Sequence, residues 1–186
     1  MRYALVTGAA SGMGRIYARR LARRGYNLVL VDMNAAGLDE TAAMIGEDVN
    51  VLSIVQDLSL MDAADRIYER TEAEKCEVEV LVNNAGVMFC QGLAETSEKM
   101  LNVIMMVHMN TPLMLCRKYV GAMKERGCGY ILNISSLAAW MIWPGIGMYG
   151  CTKRFVRHYS RELRTECRKT GVSVTNAYFG AVDTPL

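Results

Sequence analysis

The stretch YALVTGAASGMGRI, residues 3–16, places a glycine-rich turn between a short apolar strand and the first turn of a helix. Gly8 permits a tight turn, Gly12 lets the backbone approach a pyrophosphate, and Gly14 lets the helix pack closely on the strand. The positive end of the helix then faces the phosphates. In this context the stretch predicts a dinucleotide site, and the alternative is a glycine turn that serves only the fold.

Apolar strands and helices alternate along the rest of the chain, without repeats, low-complexity tracts or a linker. The predicted strands are 3–6, 27–32, 49–55, 78–85, 129–136 and 172–178. The predicted helices are 15–25, 36–45, 62–73, 100–124 and 149–169. This alternation is typical of a parallel sheet with right-handed crossovers and helices on both faces. We therefore predict an α/β fold in which residues 1–186 form one domain around a doubly wound parallel sheet of six strands.

The composition favours a folded protein without a large electrostatic field. Of the 186 residues 52% are hydrophobic, and 21 basic against 19 acidic residues leave a net charge of +2. Neither nucleic acid nor a membrane is expected as a partner, because no basic motif and no apolar run of roughly 20 residues is present. The six cysteines form no CxxC pair or His/Cys cluster, so we expect reduced thiols, no metal site and a soluble cytoplasmic protein. His108 and His158 lie on predicted helices without partners at metal-ligand spacing, and they are interpreted as ordinary helix residues.

Asp32 ends the second predicted strand, 18 residues after Gly14 (32 − 14 = 18). A carboxylate about 20 residues beyond the glycine-rich turn binds the adenosine ribose hydroxyls in dinucleotide sites. Because a carboxylate repels a 2′-phosphate, Asp32 favours NAD over NADP. Two alternatives stay open: Asp32 only caps the strand end, or Arg15 in the first helical turn neutralises a 2′-phosphate.

Three further motifs follow the glycine-rich turn in order. They are NNAG at 83–86, NISS at 133–136, and YxxxK, in which Tyr149 and Lys153 lie one helical turn apart. Together with TGxxxGxG at 7–14 they resemble the short-chain dehydrogenase/reductase family, in its standard single-domain subgroup, over nearly the whole chain. The resemblance implies an oxidoreductase that moves a hydride between NAD or NADP and a secondary alcohol or ketone.

The resemblance assigns the proton transfer to Tyr149, as general acid or base. A free phenol titrates near pH 10, and the Lys153 ammonium is expected to stabilise the phenolate and to reach the nicotinamide ribose. Ser136, 13 residues before Tyr149 (149 − 136 = 13), is expected to polarise the substrate carbonyl, in preference to Ser135. By resemblance Asn110 is the asparagine that supports a water chain to the lysine, and the alternative is a polar residue at a helix kink before Pro112.

The resemblance also implies a set of cofactor contacts. They are Gly8, Ser11, Gly12, Met13, Gly14, Asp32, Asp57, Leu58, Asn84, Ala85, Gly86, Tyr149, Lys153, Val182 and Thr184. Asn83 is expected to stabilise the central sheet beside the adenosine side of the cofactor. In the final FGAVDTP stretch the chain carries Phe179 where the family has proline before the glycine, so we expect the loop geometry to depart from the family there.

Residues 137–148 read LAAWMIWPGIGM, with two tryptophans among aliphatic side chains. This apolar wall, with Met88 and Phe89 after NNAG, predicts a hydrophobic alcohol or ketone as substrate, such as a 3-oxoacyl or steroid-like compound. The segment is equally consistent with Trp140 and Trp143 packing against the rest of the protein or a second subunit.

The resemblance extends to the assembly and to the chain beyond Leu186. Family members commonly continue with a mobile substrate loop, a helix and a seventh strand, so we expect a longer natural protein with a lid and a last strand. The helices at 100–124 and 149–169 resemble those that family members pair into homodimers or homotetramers. A catalytically silent binding or interaction module on the same fold is the alternative to an enzyme, although the intact serine, tyrosine and lysine favour the enzyme.

Overall fold

The computed structural model describes residues 2–182, and Thr184 lies outside the described residues. Its strands are β1 (Arg2–Thr7), β2 (Asn27–Asp32), β3 (Val51–Val55), β4 (Glu77–Asn83), β5 (Gly129–Ser136) and β6 (Val172–Phe179). Neighbouring strands are parallel, in the order β3-β2-β1-β4-β5-β6. The predicted doubly wound sheet of six parallel strands is confirmed.

Helices cover both faces of this sheet. They are α1 (Gly12–Ala22), α2 (Ala35–Ile45), α3 (Ala63–Ala73), α4 (Glu98–Met105), α5 (Thr111–Arg126) and α6 (Gly147–Glu166). Ala18 of α1 and Leu38 of α2 pack on one face, whereas Ile67 of α3, Leu115 of α5 and Val156 of α6 pack on the other. Because both faces are covered, the central strands are continuous apolar runs. Among residues 2–182 no helix combines the length and the hydropathy needed to cross a bilayer.

The strand order reverses between β1 and β4, and the turn from β1 into α1 lies at this switch point. Gly8 has a left-handed φ of +68°, and a Cβ there would lie 2.9 Å from the Ala85 backbone. A Cβ on Gly14 would lie 1.9 Å from the Gly8 carbonyl oxygen, so only glycine lets α1 pack this closely. In open α/β sheets, ligands bind in the crevice beyond the carboxyl ends of the strands at such a switch point.

The helix predicted over 100–124 is divided by a π-helical turn at Met106–Asn110, between α4 and α5. The first amide of α5 donates to the Met106 carbonyl, five residues back. Pro112 explains the wider turn, because proline has no N–H and its ring excludes the carbonyl four residues earlier from a regular helix. π-bulges are frequent at functional sites, and this one turns His108 into the protein interior.

Candidate active site

A cleft of about 240 Å³ opens at the switch point, beside the glycine-rich turn. Most residues predicted to hold a cofactor line it together: Gly8, Ser11, Gly12, Met13, Asp32, Asp57, Leu58, Asn84, Ala85 and Gly86. Gly14 lies behind the turn, against the Gly8 carbonyl. Further lining residues, which the sequence interpretation missed, are Met33, Gln56, Val87 and Val107.

Thr7, the last residue of β1, ties the glycine-rich turn to the segment after β4. Its hydroxyl oxygen accepts hydrogen bonds from the amides of Asn84 at 3.0 Å and Ala85 at 3.1 Å. The Asn84 side chain donates in return to the Thr7 carbonyl at 2.9 Å. Two walls of the cleft are therefore fixed to each other by the protein itself. Asn83 lies in the interior, where its amide donates to Asn133 Oδ1 at 2.8 Å and so links β4 to β5.

Asp32 lies at the rim of this cleft, where its carboxylate binds two backbone amides. Its Oδ2 accepts from Ala10 at 3.1 Å, and its Oδ1 accepts from Asn34 at 3.0 Å. These bonds give the carboxylate the capping role at the strand end that one alternative predicts. Asp32 also lines the cleft, as the ribose prediction requires, so the two interpretations do not exclude each other.

Arg15 is bonded to α2 and does not line the cleft. Its Nε donates to Thr41 Oγ1 at 3.0 Å, and its Nη2 donates to Glu40 Oε2 at 2.8 Å. The same Nη2 also donates to the carbonyls of Ala10 and Gly37. The alternative in which Arg15 neutralises a 2′-phosphate gains no support from this position, because the guanidinium is already engaged.

A second cleft, of about 470 Å³, adjoins the first. The two clefts share a wall formed by Met13, Asn84, Gly86 and Val87. The predicted catalytic and nicotinamide-side residues that line the second cleft are Ser136, Tyr149, Lys153 and Val182. The structure thus brings the predicted proton-transfer residues to the same crevice as the glycine-rich turn.

Lys153 is buried beside Tyr149 on α6, with 5% of its surface exposed. Its Nζ donates to the Ile134 carbonyl at 3.1 Å and lies 5.6 Å from the centre of the Tyr149 ring. Burial lowers the pKa of Lys153 to about 8, because an ammonium group loses its hydration in the protein interior. The structure thus places a buried amine beside the phenol ring of Tyr149.

The two serines at the end of β5 have different surroundings. Ser135 is buried, and its hydroxyl donates to the Lys153 carbonyl at 3.0 Å, which anchors α6 to the sheet. Ser136 is half-buried, and its Oγ accepts from the Ala138 amide at 3.1 Å. Since a hydroxyl that accepts keeps its own proton, Ser136 retains a donor for a ligand in the cleft. These placements favour Ser136 over Ser135 as the residue that contacts a carbonyl.

Asn110 is not brought to the pair formed by Tyr149 and Lys153. Its side-chain amide lies 3.7 Å from Sδ of the exposed Met61, and Asn110 is outside the lining of both clefts. The π-helical turn is the physical reason, because it changes which residue of this segment faces α6. His108 takes that place, so the assignment of Asn110 as a catalytic residue gains no support from the structure.

His108 is a further residue beside the site that the sequence interpretation missed. It is 2% exposed, its Nε2 accepts from the Val87 amide at 2.9 Å, and its Nδ1 lies 2.9 Å from Thr152 Oγ1. Burial, and then the nearby Lys153 ammonium, lower the pKa of His108 well below its usual value of 6.5. The sequence interpretation of His108 as an ordinary helix residue did not include these two hydrogen bonds.

We expect the protein to lose stability on mild acidification because of His108. The unfolded chain binds a proton at this residue near pH 6.5, whereas the lowered pKa keeps the folded residue neutral. Below that pH the unfolded state binds more protons, so the free energy of unfolding falls with pH, by up to about 1.4 kcal/mol per pH unit. This contribution to stability is fully present above pH 6.5.

Urea unfolding at about pH 7.5 and about pH 5.5 would measure this loss. His108→Gln should remove most of the difference, because the side chain no longer titrates. His158→Gln is the matched control, since His158 lies on α6 with 80% of its side chain exposed. The same pH dependence in wild type and His108→Gln would contradict the assignment.

The two tryptophans of the apolar wall have different positions. Trp143 lines the second cleft. Trp140 packs elsewhere, with the Arg157 guanidinium 3.5 Å from its ring centre and the Tyr178 ring centre at 5.7 Å. Trp143 therefore supports the apolar wall, and Trp140 supports the packing alternative. Phe179, which replaces the proline of the family, also lines the second cleft.

This crevice combines a glycine-rich turn at the switch point of a parallel sheet with a tyrosine and a buried lysine one helical turn apart. Such a combination is that of a dinucleotide-binding α/β protein with a proton-transfer pair. The family model for short chain dehydrogenases matches residues 2–186. The chain belongs to the short-chain dehydrogenase family, a family of nicotinamide-dependent oxidoreductases.

Two very-long-chain 3-oxoacyl-CoA reductases are among the proteins similar to this chain. The one from Anas platyrhynchos is 37% identical over 183 residues, which cover 92% of this chain and 57% of that protein. The one from Mus musculus is 34% identical over 194 residues, which cover 99% of this chain and 60% of that protein. The chain therefore spans less than two thirds of the length of these relatives.

Solved structures of the family have the same fold. A short-chain dehydrogenase from Sphingobium yanoikuyae in complex with NADPH has a TM-score of 0.92 and 30% identity, covering 99% of this chain and 72% of that one. A bulky-bulky ketone specific alcohol dehydrogenase from Comamonas testosteroni has a TM-score of 0.91 and 29% identity, covering 98% of this chain and 73% of that one.

Proposed function

We propose that the protein is an NAD-dependent oxidoreductase that moves a hydride between the nicotinamide and a hydrophobic secondary alcohol or ketone. One observation carries the proposal: the buried Lys153 ammonium lies beside the Tyr149 ring, in a cleft that shares a wall with the cleft at the glycine-rich turn. Within residues 2–182 the Lys153 ammonium has no carboxylate partner. Burying such a cation is costly to the fold, and such groups cluster at functional sites.

The residues present fit a dinucleotide. The space that a Cβ would fill at Gly8 and Gly14 is occupied by backbone, so the turn and the amino terminus of α1 lie close together at the cleft. When bound, the nicotinamide accepts or supplies the hydride. Lys153 uses one donor on the Ile134 carbonyl and keeps others for the ribose hydroxyls.

The side chains of the protein handle the proton. In the oxidation direction the Tyr149 phenolate takes the proton of the alcohol while the carbon loses a hydride, and in the reduction direction the phenol returns it to the carbonyl oxygen. Lys153 stabilises the phenolate. The Ser136 hydroxyl donates to the substrate oxygen and stabilises the charge that develops there.

The proposal of NAD over NADP rests on Asp32 and Arg15. The Asp32 carboxylate lines the cleft, while the Arg15 guanidinium is held by Thr41 and Glu40. A 2′-phosphate would therefore meet a negative charge without the help of this arginine. The Sphingobium yanoikuyae protein was solved with NADPH, so similarity to known structures does not favour NAD, and the proposal depends on these two side chains.

Asp32→Ser should shift the cofactor preference towards NADP. Without the carboxylate the 2′-phosphate is no longer repelled and the ribose loses its acceptor, so kcat/KM for NADP relative to NAD should rise at least about tenfold, or about 1.4 kcal/mol. Initial rates with both cofactors would measure the ratio. Asp39→Ser, on the exposed surface of α2, is the matched control and should leave the ratio unchanged. A wild-type preference for NADP would contradict the proposal.

The apolar part of the second cleft supports a hydrophobic substrate. Its apolar lining residues include Met88, Leu137, Met141, Trp143 and Phe179. The relatives from Anas platyrhynchos and Mus musculus are named for very-long-chain 3-oxoacyl-CoA, and the Comamonas testosteroni structure for bulky ketones. We therefore infer a 3-oxoacyl or steroid-like compound as the substrate class.

A panel of long-chain 3-oxoacyl thioesters, bulky ketones and small polyols, assayed with both cofactors, tests the proposed function. We expect the highest kcat/KM with a long-chain or bulky ketone. Higher activity on a small polyol would contradict the substrate class. Binding of NAD without turnover on any compound would favour a catalytically silent binding module instead.

A homodimer or homotetramer stays a prediction. Analytical ultracentrifugation would measure the oligomeric state.

A further inference from the structure

His108 joins two parts of the crevice that come from different elements. On one side its Nε2 accepts from the Val87 amide at 2.9 Å. On the other side its Nδ1 lies 2.9 Å from Thr152 Oγ1, which in turn lies 2.8 Å from the Tyr149 carbonyl oxygen. The imidazole therefore bridges the segment after β4, which lines both clefts, and the first turns of α6.

The partners of His108 define its tautomer. A backbone amide can only donate, so Nε2 must carry a lone pair. The proton of the neutral ring is then on Nδ1 and is donated to Thr152 Oγ1, whose own proton goes to the Tyr149 carbonyl. The hydrogen bonds therefore point in one direction: Val87 donates to His108, His108 donates to Thr152, and Thr152 donates to Tyr149. A doubly protonated ring would break the bond from Val87.

The ring of His108 also contacts the ring of Tyr149. Their centres are 5.5 Å apart at an interplanar angle of 75°, an edge-to-face arrangement. Gly86 makes room for the imidazole, because a Cβ on Gly86 would lie 3.2 Å from His108 Nε2. Tyr149 is thus held twice, at its carbonyl through Thr152 and at its ring directly.

Lys153 and Tyr149 of α6 are the titratable groups of the described residues that lie against His108, and Tyr159 of α6 lines the same interior region. A proton on Nε2 would place a second cation near the Lys153 ammonium. It would also release the Val87 amide. The arrangement is consistent only with a neutral imidazole.

We propose that His108 is a positioning residue, which as the Nδ1–H imidazole fixes the Tyr149 ring relative to the Gly86 and Val87 backbone. The inference rests on the proposed function for its effect on turnover, and on geometry alone for the tautomer. It assigns no proton transfer to His108.

The chain has only two histidines, so nitrogen NMR of protein labelled at histidine reports His108 against His158 as an internal reference. We expect His108 as the Nδ1–H tautomer, neutral from about pH 8 down to about pH 5, the range in which an unperturbed imidazole takes up a proton. Thr152→Val should shift the Nδ1 resonance, and Thr152→Ser, which keeps the hydroxyl, should not. An Nε2–H tautomer, or protonation of His108 within that pH range, would overturn the proposal.

Kinetics then test the positioning role. His108→Leu should lower kcat 10- to 100-fold and change the dissociation constant of NAD less than about threefold, because misplacement of a reacting group by about 1 Å costs this much. His108→Gln, whose amide can accept and donate, should recover most of kcat. Thr152→Val gives the same test if His108→Leu does not fold, and His158→Gln is the control.

Wild-type kcat in His108→Leu, or equal losses of kcat and NAD affinity in both His108 variants, would overturn the positioning role. If the wild-type protein turns over no compound of the panel, the proposed function is wrong. The positioning role can then be tested without turnover, from the NMR resonances of the Tyr149 ring. They should shift in His108→Gln and stay unchanged in His158→Gln. Tyr149 resonances that stay unchanged in His108→Gln would overturn it.

Discussion

Replacing Tyr149 by phenylalanine should lower kcat about 10²- to 10⁴-fold, the usual contribution of a positioned acid or base, and leave the dissociation constant of NAD within about threefold. The change removes only the phenol oxygen. The ring contact with His108 and the position beside the Lys153 ammonium are kept. Turnover with the best ketone of the panel and a titration of NAD by tryptophan fluorescence would measure the two quantities.

Tyr178→Phe is the matched control for this variant. It removes the same oxygen from a tyrosine of β6 whose ring packs on Trp140, outside the lining of the second cleft. We expect kcat within about twofold of wild type, because Tyr178 touches no reacting group in the proposed mechanism. If Tyr149→Phe turned over at the wild-type rate, or both variants lost activity equally, the proposed proton transfer would be wrong.

The parts of the fold that could be predicted from the sequence are those that depend on residues close together in the chain. Strands β2 and β5 have the predicted bounds, 27–32 and 129–136, and each contains an apolar run, at 28–31 and 130–132. The glycine-rich turn was predicted for the same reason, since a tight turn between a strand and a helix requires glycine locally. The spacing of Tyr149 and Lys153 is likewise a local property of a helix.

The burial of Lys153 is not a local property. It depends on Ile134, 19 residues away in sequence, whose carbonyl accepts from the ammonium. The lowered pKa of Lys153 follows from that burial, so no reading of the YxxxK motif alone could give it. The motif predicted which residues meet, and the packing of the sheet against α6 decides how much water reaches them.

His108 shows the same limit more clearly. Its partners Val87 and Thr152 are 21 and 44 residues away in sequence, so no spacing rule connects the three. The available signal was Pro112, four residues after His108 within a predicted helix (112 − 108 = 4), since an interior proline distorts the preceding turn. The interpretation used this proline to place a kink at Asn110, but it did not consider which side chain the kink turns inward.

Lys153→Met should impair proton transfer and cofactor binding together, whereas Tyr149→Phe should impair proton transfer alone. Methionine matches the length of the lysine side chain and packs readily in an apolar interior, so the fold should tolerate the change. The variant lacks the charge that stabilises the phenolate and the donors for the nicotinamide ribose. We expect kcat/KM for NAD to fall at least about 10³-fold, because proton transfer and cofactor binding are lost together.

The control for this variant is Lys99→Met, an exposed lysine on α4. It makes the same chemical change outside both clefts, and wild-type kcat/KM is expected. A thermal melt of both variants separates loss of function from loss of fold. Lys153→Met with wild-type kcat/KM would show that the buried ammonium does not act on Tyr149.

The pH dependence of kcat/KM isolates the charge of Lys153 from its packing, since this quantity reports groups that titrate in the free enzyme. An ammonium is charged below its pKa and neutral above it, and burial places the pKa of Lys153 at about 8. The wild-type value of kcat/KM for NAD should therefore decline above about pH 8, well before a solvated lysine would lose its proton. Lys153→Met should lack this decline, because it has no charge to lose, whereas Lys99→Met should keep it. If the wild-type kcat/KM stayed level up to about pH 10, the Lys153 ammonium would be kept charged by a partner other than the Ile134 carbonyl.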